Sequence, residues 1–149
     1  MADEAAYVQQ VKAEHYGLEQ LLHQLEDAFA AARGNGWPTK AIPQLVKLLT
    51  DLREEIERHF AQEEVGGYME EALSLAPRFS GQAQALLKQH GELSQAVRAL
   101  LAKTRDPKLV DWSGLHAELQ TLLKKLKAHE AGENRIVEAA FNEDLGLGD

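Results

Sequence analysis

The 149-residue chain has no cysteine, and only 6% of its residues are phenylalanine, tyrosine or tryptophan. Without cysteine it forms no disulfide, offers no thiolate nucleophile and holds no iron–sulfur cluster, so any metal it carries is bound by histidine and carboxylate. No stretch approaches the ~20 consecutive apolar residues of a membrane-spanning helix. Basic residues are in deficit, 16 against 24 acidic, for a net charge of −8. That balance repels phosphate backbones and anionic lipid, so neither nucleic acid nor a membrane is expected as a partner. The opening MADEAAYVQQ is acidic and has neither the basic stretch nor the apolar run of a secretory signal, and a cytoplasmic location is expected.

What the chain does have is ordinary globular composition, 44% hydrophobic and 27% charged. One domain spanning 1–149 is expected, and a domain of that size buries roughly two-thirds of its unfolded surface. Proline is scarce, and its four copies mark corners or a helix start. Gly34-Asn35-Gly36-Trp37-Pro38 breaks a first helix running from about 3 to 32. A second runs from about 40 to 65, with Pro43 tolerable in its first turn, and Gly66-Gly67 ends or bends it. A short helical connector at about 68–75 precedes Pro77, and a third long helix covers about 80–103. After Asp106-Pro107, Asp111 or Ser113 can cap a fourth, extending over about 112–142. Four long helices with short corners predict an all-α, antiparallel up-down-up-down four-helix bundle.

Buried faces of amphipathic helices repeat at alternating steps of three and four. The first seam reads Val11, His15, Leu18, Leu22, Leu25, Phe29 and the second Leu45, Leu48 or Leu49, Leu52, Ile56, His59, Glu63. The third reads Leu86, His90, Leu93, Val97, Leu100, and the fourth Leu115, Leu119, Leu122, Leu126, His129, Glu133, Ile136, Ala140. Six polar residues therefore occupy places that call for leucine: His15, His59, Glu63, His90, His129 and Glu133. At ~1.5 Å rise per residue, His15 and His59 both lie roughly 27–30 Å from the first corner, and His90 and His129 are level with each other. One layer near the opposite end of the bundle collects all four helices' contributions.

Taken singly, a histidine on such a seam is most often a core residue hydrogen-bonded to a neighbour. Four at matching depth, two of them followed by a carboxylate one turn later, are hard to satisfy by mutual hydrogen bonds, and buried carboxylates without compensation cost several kcal/mol. Imidazole and carboxylate are donors that iron, manganese and zinc accept, so a metal is the expected compensation. The remaining histidines, His23 and His116, adjoin seam positions and are expected at the surface. Glu64 and Glu130 each flank a proposed ligand, with Glu130 the nearer to an exception; Tyr7 is expected to pack rather than to bind metal. Phe29, Phe60 and Phe141 are expected as apolar walls, Trp37 and Trp112 as covers over bundle ends.

Together, His15, the HFAQEE segment at 59–64, His90 and the HEAGE segment at 129–133 resemble the hemerythrin-like, or HHE cation-binding, domains over nearly the whole chain. The resemblance implies a non-haem di-iron centre with Glu63 and Glu133 bridging two irons, the four histidines as terminal ligands and an oxo or hydroxo bridge, with manganese or zinc less favoured. Dioxygen-carrying hemerythrins resemble a pattern with a further histidine one turn after the third helix's first, and a carboxylate five residues past the fourth helix's histidine. This chain has Ser94 and an i+4 spacing to Glu133. It is similar instead to the four-histidine branch that includes iron–sulfur repair proteins and an iron-sensing domain of a ubiquitin ligase.

With two six-coordinate irons offering ~12 places, two taken by the bridge and eight by protein, about two stay open, where a fifth histidine leaves one. The expected partners are therefore dioxygen, peroxide or nitric oxide. Reaction with them, with no protein acid or base beyond the metal centre, stands beside sensing, iron storage or donation, and dioxygen carriage.

Overall fold

The computed structural model describes residues 2–64 and 68–145, with side chains described over 9–64 and 69–142. The described backbone is helical between its corners: α1 (Ala2–Gly34), α2 (Ile42–Glu64), α3 (Tyr68–Leu75), α4 (Ser80–Lys103) and α5 (Trp112–Leu145). The four long helices form an antiparallel bundle in which α1 packs on α2, α2 on α4, α4 on α5 and α5 back on α1. The short α3, expected as a connector, lies against α5.

Local chemistry explains the corners. α1 ends where Gly36 turns into the left-handed region at φ 73°, letting the Gly36 N–H reach the Arg33 carbonyl at 3.1 Å and the Trp37 N–H reach the Ala32 carbonyl at 2.8 Å. Trp37 also has a positive φ, 56°, which a β-carbon disfavours. Its indole is anchored against Trp112 and Phe29 and donates to the Ser113 hydroxyl at 3.2 Å. α2 starts at Ile42 rather than near residue 40, because Thr39–Ala41 form a tighter turn of 3-10 helix first. Of the two candidate caps for α5, Asp111 acts, accepting the Gly114 N–H at 3.0 Å. Gly114 is needed there, since a β-carbon would run into that carboxylate. Gly66 and Gly67 fall outside the described residues.

Every residue of the four seams is buried except Leu86, which is half-buried. Their apolar members form two clusters. One, from Leu18 on α1 to Leu126 on α5, fills the end beneath the Trp37 corner. The other joins Val11, Ala83 and Ile136 to Met69, Ala72 and Ala76 from α3 and its C-terminal flank. Between them lies the polar layer, since His15 separates Val11 from Leu18, and His129 and Glu133 separate Leu126 from Ile136.

His116 departs from its expected surface position. It is 5% exposed, with its ring stacked on Phe29 at 5.6 Å and edge-on to Trp37 at 5.6 Å, so it belongs to the aromatic plug at that end. Standing next to the seam residue Leu115, it is swept inward because Trp37 folds over the bundle end and gives it a partner. His23 is exposed as expected. Burial, and secondarily the positive charge of Arg33, hold the His116 imidazole below its ordinary pKa. A histidine depressed in the folded state stabilises the fold above its unfolded pKa, near 6.5, and loses that contribution as pH falls through the folded value. The stability of the wild type relative to His116→Phe, followed by denaturant midpoint, is therefore expected to decline from about pH 7 to pH 5. A flat difference would contradict this.

Candidate metal centre

Each long helix delivers one histidine to the polar layer, and α2 and α5 add a carboxylate one turn later. The i+4 spacing puts His59 above Glu63, and His129 above Glu133, on one helix face. All six side chains are at most 4% exposed. The rings meet in two pairs, His15 with His59 at 5.2 Å between centroids and His90 with His129 at 5.0 Å. Glu63 and Glu133 lie between the pairs. His59 Nε2 is 2.5 Å from Glu63 Oε1, His90 Nε2 is 3.2 Å from Glu63 Oε2, and His129 Nε2 is 3.3 Å from Glu133 Oε1. His15 Nε2 and His59 Nε2 approach the same Glu133 oxygen at 3.6 and 3.9 Å.

These approaches are close without being hydrogen bonds. Among the described residues, the Nε2 atoms of His59, His90 and His129 and both oxygens of Glu63 are shut off from solvent and lack a partner of proper geometry. Buried groups of this polarity are normally satisfied, and lone pairs converging from several sides on one space are what a cation requires. The donor atoms fall into two groups, His15, His59, Glu63 and Glu133, and Glu63, His90, His129 and Glu133, each with its atoms within 4.8 Å of one another. Both carboxylates belong to both groups.

The outward-facing ring nitrogens are held by residues beside a ligand on the neighbouring helix. His15 Nδ1 donates to Asn134 Oδ1 at 2.8 Å, His90 Nδ1 to Glu64 Oε1 at 3.1 Å and His129 Nδ1 to Gln89 Oε1 at 2.8 Å. His59 Nδ1 faces Glu14 Oε2 at 3.7 Å, short of a hydrogen bond. The pattern closes on itself around the bundle. Glu14 adjoins His15 and faces α2, Glu64 adjoins Glu63 and serves α4, Gln89 adjoins His90 and serves α5, and Asn134 adjoins Glu133 and serves α1. An Nδ1–H so engaged leaves Nε2 as the free donor and fixes the ring's rotation, which is how metal-binding histidines are oriented.

Burial opposes charge on every member of the layer, and neighbours decide the outcome. For His59, burial is outweighed by Glu133 and Glu63, which lift it to about 10. Burial is likewise overcome at His15 by Glu133 and at His90 by Glu63, and both are raised. At His129, burial together with the positive charges of His90, His59 and His15 outweighs Glu63 and lowers it to about 4. Burial pushes Glu63 up, but His59 and His90 hold it well below the carboxylate range. Glu133 is raised, by burial first and then by Glu63. The histidines and carboxylates of the layer thus share protons among themselves, and a cation bound by the same atoms would displace those protons.

The structure brings all six sequence-selected residues into one layer. Ser94, one turn beyond His90, is half-buried and belongs to neither donor group. Glu64 is half-exposed and holds His90, whereas Glu130 is 4% exposed and, among the described residues, leaves its Oε1 without a hydrogen-bond partner. Phe60 stacks on His90 at 3.9 Å and meets His129 edge-on at 5.4 Å. Phe29 sits instead beneath Trp37, and Phe141 in the cluster beside α3. Tyr7 lies outside the described side chains. Glu14, Gln89 and Asn134 escaped the sequence reading. Their signal is adjacency to a ligand, which becomes meaningful only when the facing helix is known.

The donor set, the orphaned buried atoms and the oriented imidazoles fit a metal site. No curated protein and no solved structure matches the chain. The family model described as the hemerythrin HHE cation binding domain matches residues 7–141. Sharing that model over most of its length, and arranging buried histidine and glutamate on four antiparallel helices, the chain belongs to the hemerythrin HHE cation-binding domain family.

Proposed function

We propose that His15, His59, Glu63, His90, His129 and Glu133 hold two iron ions, and that the protein binds or reacts with a small oxidant or gas such as peroxide, nitric oxide or dioxygen. The observation that carries this reading is the sharing of Glu63 and Glu133 between the two donor groups. A carboxylate has two oxygens, so a shared pair suits two neighbouring cations, each completed by its own pair of histidines. All-nitrogen and oxygen donors favour iron, manganese or zinc over softer metals, and among these iron supplies redox chemistry when bound. The absence of a further histidine at Ser94 supports the four-histidine form, which leaves about two coordination places for a small ligand.

The protein's part is positioning and exclusion. The Nδ1 acceptors hold the imidazoles of His15, His90 and His129 at fixed rotation, and Phe60 lies flat on His90, keeping bulk water off that side. A groove of about 490 Å³ between α4 and α5 includes His129 and Gln89 in its wall, giving a small neutral molecule a short path to the layer. Lys125 and Arg135 on its rim suit an approaching electron-rich ligand.

A second reading, iron-dependent sensing, is favoured by the burial itself. Six ionisable groups at most 4% exposed make the metal-free bundle electrostatically strained, so occupancy is coupled to folding. The two readings share the centre and differ in turnover. Peroxide decomposition or nitric oxide reduction well above that of free iron at equal concentration supports catalysis, whereas rates no better than free iron leave sensing or storage.

Replacing Glu63 by Ala removes a donor from both groups. Metal content of freshly purified protein is expected to fall from about two irons per chain to one or fewer, with loss of oxo-to-iron charge-transfer absorption. Unchanged content would refute the assignment. Chelation of the wild type is expected to lower Tm by at least roughly 5–10 °C, the shift corresponding to a ligand present at about a hundred times its Kd. Melting indifferent to chelation would count against a buried resident metal.

A further inference from the structure

Five glutamates crowd the polar layer, and four have evident work. Glu63 and Glu133 belong to the donor groups, while Glu64 and Glu14 face histidine Nδ1 atoms. Glu130 does neither. It is 4% exposed, its Oε1 has no hydrogen-bond partner among the described residues, and a glutamine or leucine at that place would avoid burying a carboxyl group.

Its surroundings indicate a role. Glu130 lines a cleft of about 330 Å³ between α1 and α5, with Glu19, His23, Lys127, Ala131 and Asn134. Burial raises the Glu130 carboxyl to about 7, with His15 and His59 opposing the rise and Glu19 and Glu133 adding to it. Asn134, in the same cleft, is the side chain that holds His15. The one ammonium in the cleft, Lys127, is engaged by Glu26 at 2.6 Å. By contrast, the groove between α4 and α5 that touches His129 sets Lys125 and Arg135 against the single carboxylate Glu92, a net positive lining less favourable to an incoming cation.

We infer that the α1–α5 cleft is the route by which divalent cations reach the buried layer, with Glu19 drawing the hydrated ion in and Glu130 taking it as a transient ligand before His15 and Glu133. A carboxyl group at that depth can replace water on the ion stepwise, so the cation is never stripped in one event on its way to donors that are at most 4% exposed. Glu130 is thereby a transfer ligand, separate from the resident set, and the inference rests on the metal-centre reading proposed above.

Anaerobic stopped-flow uptake of cobalt(II) by the metal-free full chain tests it, read from the visible absorption of the bound ion. Glu130→Gln is expected to slow loading by about tenfold or more while final stoichiometry and endpoint spectrum match the wild type, since electrostatically favourable clefts raise on-rates on that scale. Glu19→Lys, at an exposed position that leaves the fold intact, is expected to slow loading too. Lys125→Glu, on the other groove, is expected to leave the rate unchanged. Loading of Glu130→Gln or Glu19→Lys within twofold of wild type overturns the inference, as does acceleration by Lys125→Glu. Reduced final stoichiometry in Glu130→Gln overturns it in favour of a permanent ligand. Wild-type chain that takes up no cobalt fails at the earlier step, overturning the metal centre and this route together.

Discussion

Four imidazoles and two carboxylates, none more than 4% exposed, share one layer of a helical bundle, and much of the molecule's design follows from making that tolerable. Outward, the rings need acceptors, and the neighbouring helices provide them. Inward, the Nε2 atoms of His59, His90 and His129 and both oxygens of Glu63 converge without a hydrogen-bond partner among the described residues. Apolar clusters on either side hold the helices together, so the polar layer need not contribute to cohesion and is free to be strained. The bundle's stability and its chemistry are thus separated by depth along the same helices.

The ring of acceptors links that chemistry to helix packing. Each helix carries both a donor to the layer and, one residue away, a side chain that faces the next helix's histidine. Rotating any one helix by a fraction of a turn would therefore disturb two adjacent members at once. The outer partners are also alike in the two halves. In each donor group one histidine faces a carboxylate, Glu14 or Glu64, and the other an amide, Asn134 or Gln89. The two halves thus present similar electron-donating environments, in keeping with a pair of like cations.

Access is asymmetric where the donors are symmetric. The α1–α5 cleft carries Glu19, the buried Glu130 and a Lys127 engaged by Glu26, while the α4–α5 groove carries Lys125, Arg135 and Glu92 over largely apolar walls. The two flanks of α5 thus differ in the charge balance they present beside one layer. Gly132 assists on the second flank, because a β-carbon there would press on Leu86 at 3.0 Å. Leu86 would have to shift by a few tenths of an ångström to admit one.

Periodicity alone was enough to place His15, His59, Glu63, His90, His129 and Glu133 on buried seams and to set the helix order, because i, i+3 and i+4 spacing is a property of the helix itself. The Gly36 turn was similarly local, whereas the choice of Asp111 over Ser113 as the cap of α5 came from the structure. Depth counting even put the histidines in register, since helix rise is constant. What lay beyond sequence was everything that depends on which helix faces which: the pairing of Asn134 with His15 and of Gln89 with His129, the stacking of Phe60 rather than Phe29 on the layer, and the burial of His116 under Trp37. A residue's position along one helix determines its face, but its partner is set by the rotation and offset of a second helix. Those are decided by the packing of the whole core.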